Sequence, residues 1–132
     1  MSWPVLRALR HAGIPFTTNR RSPGLTYPIL RASRSIEPTL VEFGRANLAR
    51  LDRPWARIEQ ADPERLGWPD TAPYDRVLVS AEPRTLPDEL VEQLTDDGRM
   101  VIPVSGTMLL VRLTPSGPKI TEHGWYRFVP LR

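Results

Sequence analysis

Two short apolar runs frame this chain of 132 residues: Arg76-Val-Leu-Val-Ser80 and Arg99-Met-Val-Ile-Pro-Val104. The first lacks alternation of apolar and polar positions, which predicts a strand covered on both faces, as in a parallel sheet. The second reads as a strand as well. Between them Leu86, Leu90, Val91 and Leu94 recur at helical spacing, with Pro87 acceptable in the first turn and Asp97-Gly98 as the stop. Strand, helix, strand in that order is the building unit of an α/β sheet.

The neighbouring segments extend this pattern. Pro38-Thr39 opens a helical pattern to about Leu51, with Leu40, Val41, Phe43, Gly44, Asn47, Leu48 and Leu51 on one arc. A short strand is expected over 55–59, and a loop with three prolines and a glycine over 62–73. Extended segments over 107–113 and 120–129 flank Pro115-Ser-Gly-Pro118, a hairpin turn. The expected fold is α/β, with a sheet that ends in an antiparallel pair.

Residues 1–35 read differently. They hold six arginines (7, 10, 20, 21, 31 and 34) and no acid, with prolines and serines between them and no sustained period. Ser2 is a candidate cap for a short helix through Leu9. Residues 36–132 carry 12 basic and 15 acidic side chains, so the net charge of +3 describes one end of the chain. The high pI is therefore no argument for a nucleic-acid partner. Without cysteine there is neither a disulfide nor a thiolate metal site, and His11 and His123 have no ligand-spaced companion. The longest uncharged stretch, 100–111, is too short to span a bilayer. Arg7 and Arg10 interrupt any export signal, so a cytoplasmic location is expected.

Four segments in this order and spacing resemble the protein-L-isoaspartate O-methyltransferase family. They are Leu40-Val-Glu-Phe-Gly-Arg-Ala-Asn-Leu48, Leu66-Gly-Trp-Pro-Asp-Thr-Ala-Pro-Tyr-Asp75, Gly98-Arg-Met-Val-Ile-Pro-Val104 and Tyr126-Arg-Phe-Val-Pro-Leu131. The resemblance begins near Glu37 and runs to the last residue, which suggests two units: a basic segment 1–35 and a methyltransferase-like domain 36–132. It implies a Rossmann-like, doubly wound sheet and S-adenosylmethionine as methyl donor. The acceptor would be the carboxylate of an isoaspartyl or aspartyl residue in a protein or peptide. Such an acceptor is already ionised, so the family's chemistry rests on alignment with the sulfonium methyl and needs no general base.

Carried over position by position, the resemblance marks Asp62 for the adenine and Glu37 for the ribose hydroxyls. Pro38 follows Glu37 at once, where the family leaves two residues. Ser80 and Ala81 stand at the carboxyl end of a strand beside the expected crevice, where substrate contacts are common. Other readings stand beside these. An acid ahead of a helix N-terminus is stabilised there in any case, and a serine at a strand end is ordinary. Asn47 in the apolar arc fits a buried amide that ties its helix to a neighbour. No family motif marks Ser105 as a nucleophile.

Two family elements have no counterpart. No Gly-x-Gly-x-Gly turn follows an apolar strand, and no Ser/Thr-rich segment with Gln-Pro, which lies near the acceptor in relatives, stands upstream. No segment is a better first strand than 27–32. The expected sheet is therefore partial, with its first strand and glycine-rich turn missing or replaced. A strand left without that partner would favour self-association. Weak or absent binding of S-adenosylmethionine is expected as well. Three functions remain open: an active carboxyl methyltransferase, an inactive fragment, and a binding module with a basic arm. The abrupt change near residue 36 is what a shifted reading frame or misplaced start in a GC-rich gene produces. Translation of the upstream DNA in all frames tests that expectation.

Overall fold

The computed structural model describes residues 16–19, 30–35 and 37–131. The helix expected over 2–9 lies outside them. In chain order the elements are β1 (Phe16–Asn19), β2 (Leu30–Ser35), α1 (Pro38–Ala49), β3 (Ala56–Gln60), a 3-10 turn (Pro69–Thr71), β4 (Tyr74–Leu78), α2 (Asp88–Val91), β5 (Leu94–Val104), β6 (Thr107–Thr114) and β7 (Gly117–Trp125). The strands form one seven-stranded sheet in the order β3-β2-β1-β4-β5-β6-β7.

Strand direction decides what this sheet can do. β2 and β3 are parallel, as are β4 and β5. β1 lies between the two pairs and is antiparallel to both neighbours, with Phe16 opposite Ser33 on one side and Leu78 on the other. Hence β2, β3, β4 and β5 all point one way, as does β7, while β1, set between the two parallel pairs, and β6 point back. The stretch 27–32, offered as a first strand, is corrected: its described part belongs to β2, which lies second, beside β3. The central place is filled by four residues with no apolar period to announce them. β4 is consequently paired on both sides, which removes the unpaired strand behind the expected self-association.

α1 begins with Pro38, whose missing N–H forfeits no helical bond at that position. The N–H groups of Leu40 and Val41 donate to the Glu37 carbonyl, each at 3.1 Å. Gly44 lets the helix approach the sheet, since a Cβ there would lie 2.7 Å from Ile58 Cδ1. On the outer flank Arg45 donates from Nε to the Ile58 carbonyl at 2.7 Å and from Nη2 to Glu59 at 2.6 Å.

The main core fills the opposite face. Val77 and Val79, Met100 and Ile102, and Val111 pack there with Leu90, Val91, Leu94 and Tyr74. Full burial of each such aliphatic side chain contributes about 1.5–3 kcal/mol. The helix expected from Leu86 to Leu94 is only one turn long. Its apolar residues do share the core, but the chain turns after Val91 and Leu94 already belongs to β5. Asp97-Gly98, read as a helix stop, instead lies within an irregular stretch of β5. Tyr74 pairs with Leu94 and Arg76 with Arg99, so β5 inserts extra residues, and Asp97 takes a φ of 62°.

Gln93 fastens the long loop to this core. Its Oε1 accepts the Trp68 N–H at 2.8 Å, while Nε2 donates to the carbonyls of Leu66 at 2.9 Å and Glu89 at 2.8 Å. Tyr74 closes the other end of the loop, donating to the Trp68 carbonyl at 2.6 Å and sharing a hydrogen bond with Thr71.

Candidate functional site

Four parallel strands place their carboxyl ends on one edge of the sheet, and the candidate residues follow those ends. Glu37 comes after β2, Asp62 after β3, and Ser80 and Ala81 after β4. The four positions marked in the sequence thus share one edge.

Their surroundings differ. Glu37 is exposed at the entry to α1 and makes no side-chain cap. Asp62 is half-buried and shapes its own turn: Oδ1 accepts the Glu64 N–H at 2.9 Å, and its carbonyl accepts the Arg65 N–H at 3.3 Å. Arg65 bonds Asp70 at 2.9 Å, and that hydrogen bond raises the guanidinium pKa. The Asp70 charge adds to the rise, desolvation opposes it, and the charge of Asp62 contributes more weakly. Ser80 and Ala81 are buried at the end of β4.

Sequence reasoning missed Glu82, one residue further on. Its Oε1 accepts the Gly106 N–H at 2.6 Å and its Oε2 accepts the Phe128 N–H at 3.0 Å. Backbone bonds join Glu82 to Val129 and Leu131 as well, at 2.7 and 3.0 Å. The carboxylate is therefore committed to holding the β5–β6 turn and the 126–131 segment against this edge. No local signal announces this, because its partners lie 24 and 46 residues away. Ser105 is likewise structural: its Oγ donates to the Arg84 carbonyl at 2.7 Å. Asn47 is half-buried in α1. Among the described residues no three His, Asp or Glu side chains group as metal ligands.

A nucleotide-like cofactor at such an edge needs more than acids. Backbone N–H groups at a helix N-terminus ordinarily hold its charged part, and a strand must run into that helix from the carboxyl edge. β1 runs the opposite way, so Phe16 meets this edge and Asn19 leaves at the other. α1 does begin at this edge, but Pro38 occupies its first position and donates no N–H. Glu37 and Asp62 stand at this edge, after β2 and β3. The described residues supply no amide cradle for the rest of S-adenosylmethionine, and the whole cofactor does not fit them.

Comparison with known proteins agrees with the fold and the family resemblance. The family model described as protein-L-isoaspartate(D-aspartate) O-methyltransferase (PCMT) matches residues 30–132. The protein-L-isoaspartate O-methyltransferase of Thermococcus onnurineus is 39% identical over 103 residues, spanning 71% of this chain and 46% of its own. That of Methylorubrum populi is 43% identical over 97 residues, spanning 70% and 45%. The chain spans about half the length of the curated relatives it matches. A solved protein-L-isoaspartate O-methyltransferase superposes with a TM-score of 0.68 at 20% identity, over 76% of this chain and 33% of that one. The PCMT of Plasmodium falciparum, in complex with S-adenosyl-L-homocysteine, gives 0.61 at 23% identity, over 75% and 50%.

Proposed function

This chain belongs to the protein-L-isoaspartate(D-aspartate) O-methyltransferase family, and we propose that it is the carboxyl-terminal sheet half of an S-adenosylmethionine-dependent isoaspartyl methyltransferase, inactive by itself. The observation that carries this reading is the reversed central strand. With β1 antiparallel to β2 and β4, no strand among the described residues delivers a glycine-rich turn to the carboxyl edge.

In this reading the edge retains one side of the family's site. Asp62 would face the adenine, Glu37 the ribose hydroxyls, and Ser80 and Ala81 would line the wall toward an isoaspartyl protein or peptide. Residues 30–132, β2 included, form the family-related unit. Ahead of it, the described residues contribute β1 and no amide cradle. What these residues do is limited to recognition, because alignment of an acceptor oxygen with the methyl needs the donor held at both ends.

Transfer of labelled methyl from S-adenosylmethionine to an isoaspartyl peptide tests the proposal. No transfer above the peptide-only background is expected. Turnover that depends on Asp62 would overturn the inactive reading.

A further inference from the structure

Beyond the carboxyl edge, the sheet face under α1 is covered over only part of its width by the described residues. Gly44 seats α1 on Ile58 of β3. Register carries the Ile58 level through β2 and β1 to Leu78, Val101 and Leu110. Directly opposed residues share a face, so these three look out on the α1 side, half-buried, while Val77, Met100 and Val111 fill the core behind them. Arg45 of α1 leans toward Glu59 on the outer side. Leu40 and Phe43 lie on the opposite flank, toward the middle of the sheet, and Phe43 is 60% exposed.

Two residues away on the same face, register aligns Arg76 with Arg99, Arg99 with Arg112, and Arg112 with Lys119. Four exposed cations thus stand side by side on adjacent strands, about 4.8 Å from one strand to the next. Like charges directly opposite each other destabilise a sheet. Asp97 offsets part of the charge by bonding Arg112 at 2.7 Å, at the surface.

We propose that this strip docks an amphipathic helix of a partner polypeptide, with apolar residues on Leu78, Val101, Leu110 and Phe43, and acids over the Arg99–Arg112–Lys119 row. A helix is the element that ordinarily covers such a sheet face. Laid alongside α1 in the same direction, it would bring its C-terminal carbonyls, the negative end of its dipole, over the cations. Charge selects the occupant. Residues 1–15 and 20–29, outside β1 and β2, carry four arginines (7, 10, 20 and 21) and no acid, the wrong sign. A second copy docked through the same patch would set like rows face to face. A nucleic acid would leave the apolar level beside the cations uncovered.

The test is binding of a labelled synthetic helical peptide, leucines on one face and glutamates along the flank and last turn, to the full chain. Matched peptides with glutamine or lysine at the glutamate positions serve as controls. The glutamate peptide is expected to bind best and to weaken as salt rises. The double variant R99E/R112E should lose roughly tenfold in affinity and gain binding of the lysine peptide, which also reports that it is folded. The proposal fails if glutamate and glutamine peptides bind alike, if salt has no effect, or if the lysine peptide is not gained. Preferential binding of an oligonucleotide, or a dimer of the chain that R99E/R112E dissolves, would overturn it equally.

Discussion

Glu82 ties the carboxyl end of β4 to the last residues of the chain, its Oε2 accepting the Phe128 N–H at 3.0 Å. The other oxygen takes the Gly106 N–H at 2.6 Å, so one side chain sets the position of both a hairpin and the 126–131 segment. Hydrogen bonds to a charged group contribute about 1.5–3 kcal/mol each, and two on one carboxylate are not simply additive. Glu82→Ala is expected to lower stability by roughly 3 kcal/mol in urea unfolding. Amide exchange at Phe128 should accelerate selectively. A loss below about 1 kcal/mol would place the carboxylate's bonds among ordinary surface contacts.

Gln93 makes the corresponding tie for the 66–75 loop, and its three partners are all backbone groups. Gln93→Leu keeps an apolar body but leaves the Trp68 N–H and two carbonyls without it. A loss of about 2–4 kcal/mol is expected, since each stranded polar group costs about 1–3 kcal/mol where water cannot reach it. Trp68 fluorescence should shift at the same time. An unchanged midpoint with unchanged emission would mean that the loop is held by Tyr74 alone.

Two glycines separate crowding from conformation. Gly67 (φ 69°) lies under Gln93, and a Cβ there would also come within 2.8 Å of Leu90 Cδ2. Gly106 (φ 85°) has open space around the same position. Both substitutions to alanine meet the left-handed backbone penalty, about 1 kcal/mol. Gly67→Ala should cost clearly more than Gly106→Ala, and equal losses in thermal melts would contradict the docked loop.

β1 offers a test of the sheet's centre. Thr17 pairs with Ala32 on one side and Val77 on the other, so proline there removes a ladder bond in a strand flanked on both sides. Thr17→Pro is expected to weaken the joint between the β2–β3 and β4–β7 parts of the sheet. Loss of a single cooperative transition, followed by hydrogen exchange on both parts, is the readout. An unaltered transition would mean that β1 does not bridge the two pairs.

The elements legible in the sequence were those that carry a local signal of their own. β4 is an apolar run, α1 opens at Pro38, and the turn after Thr114 is marked by Pro115 and Ser116. The four family segments marked Glu37 and Asp62, and the strand end marked Ser80 and Ala81; that all four share one edge came only from the strand directions. α2 was read too long because Leu90, Val91 and Leu94 are buried together whether or not they lie on one helix. β1 was not legible because four residues held by neighbours on both sides need no pattern of their own. Glu82 was hidden for a related reason, as its role lies wholly in contacts distant along the chain.

The central claim is that Glu37 and Asp62 stand at the carboxyl edge while the described residues hold no amide cradle, because β1 runs backward. Calorimetric titration of the full chain with S-adenosylmethionine measures this most directly. Adenine and ribose contacts alone predict binding that is millimolar or undetectable. A low-micromolar dissociation constant, lost on Asp62→Ala, would contradict the account and show that this chain builds a complete cofactor site.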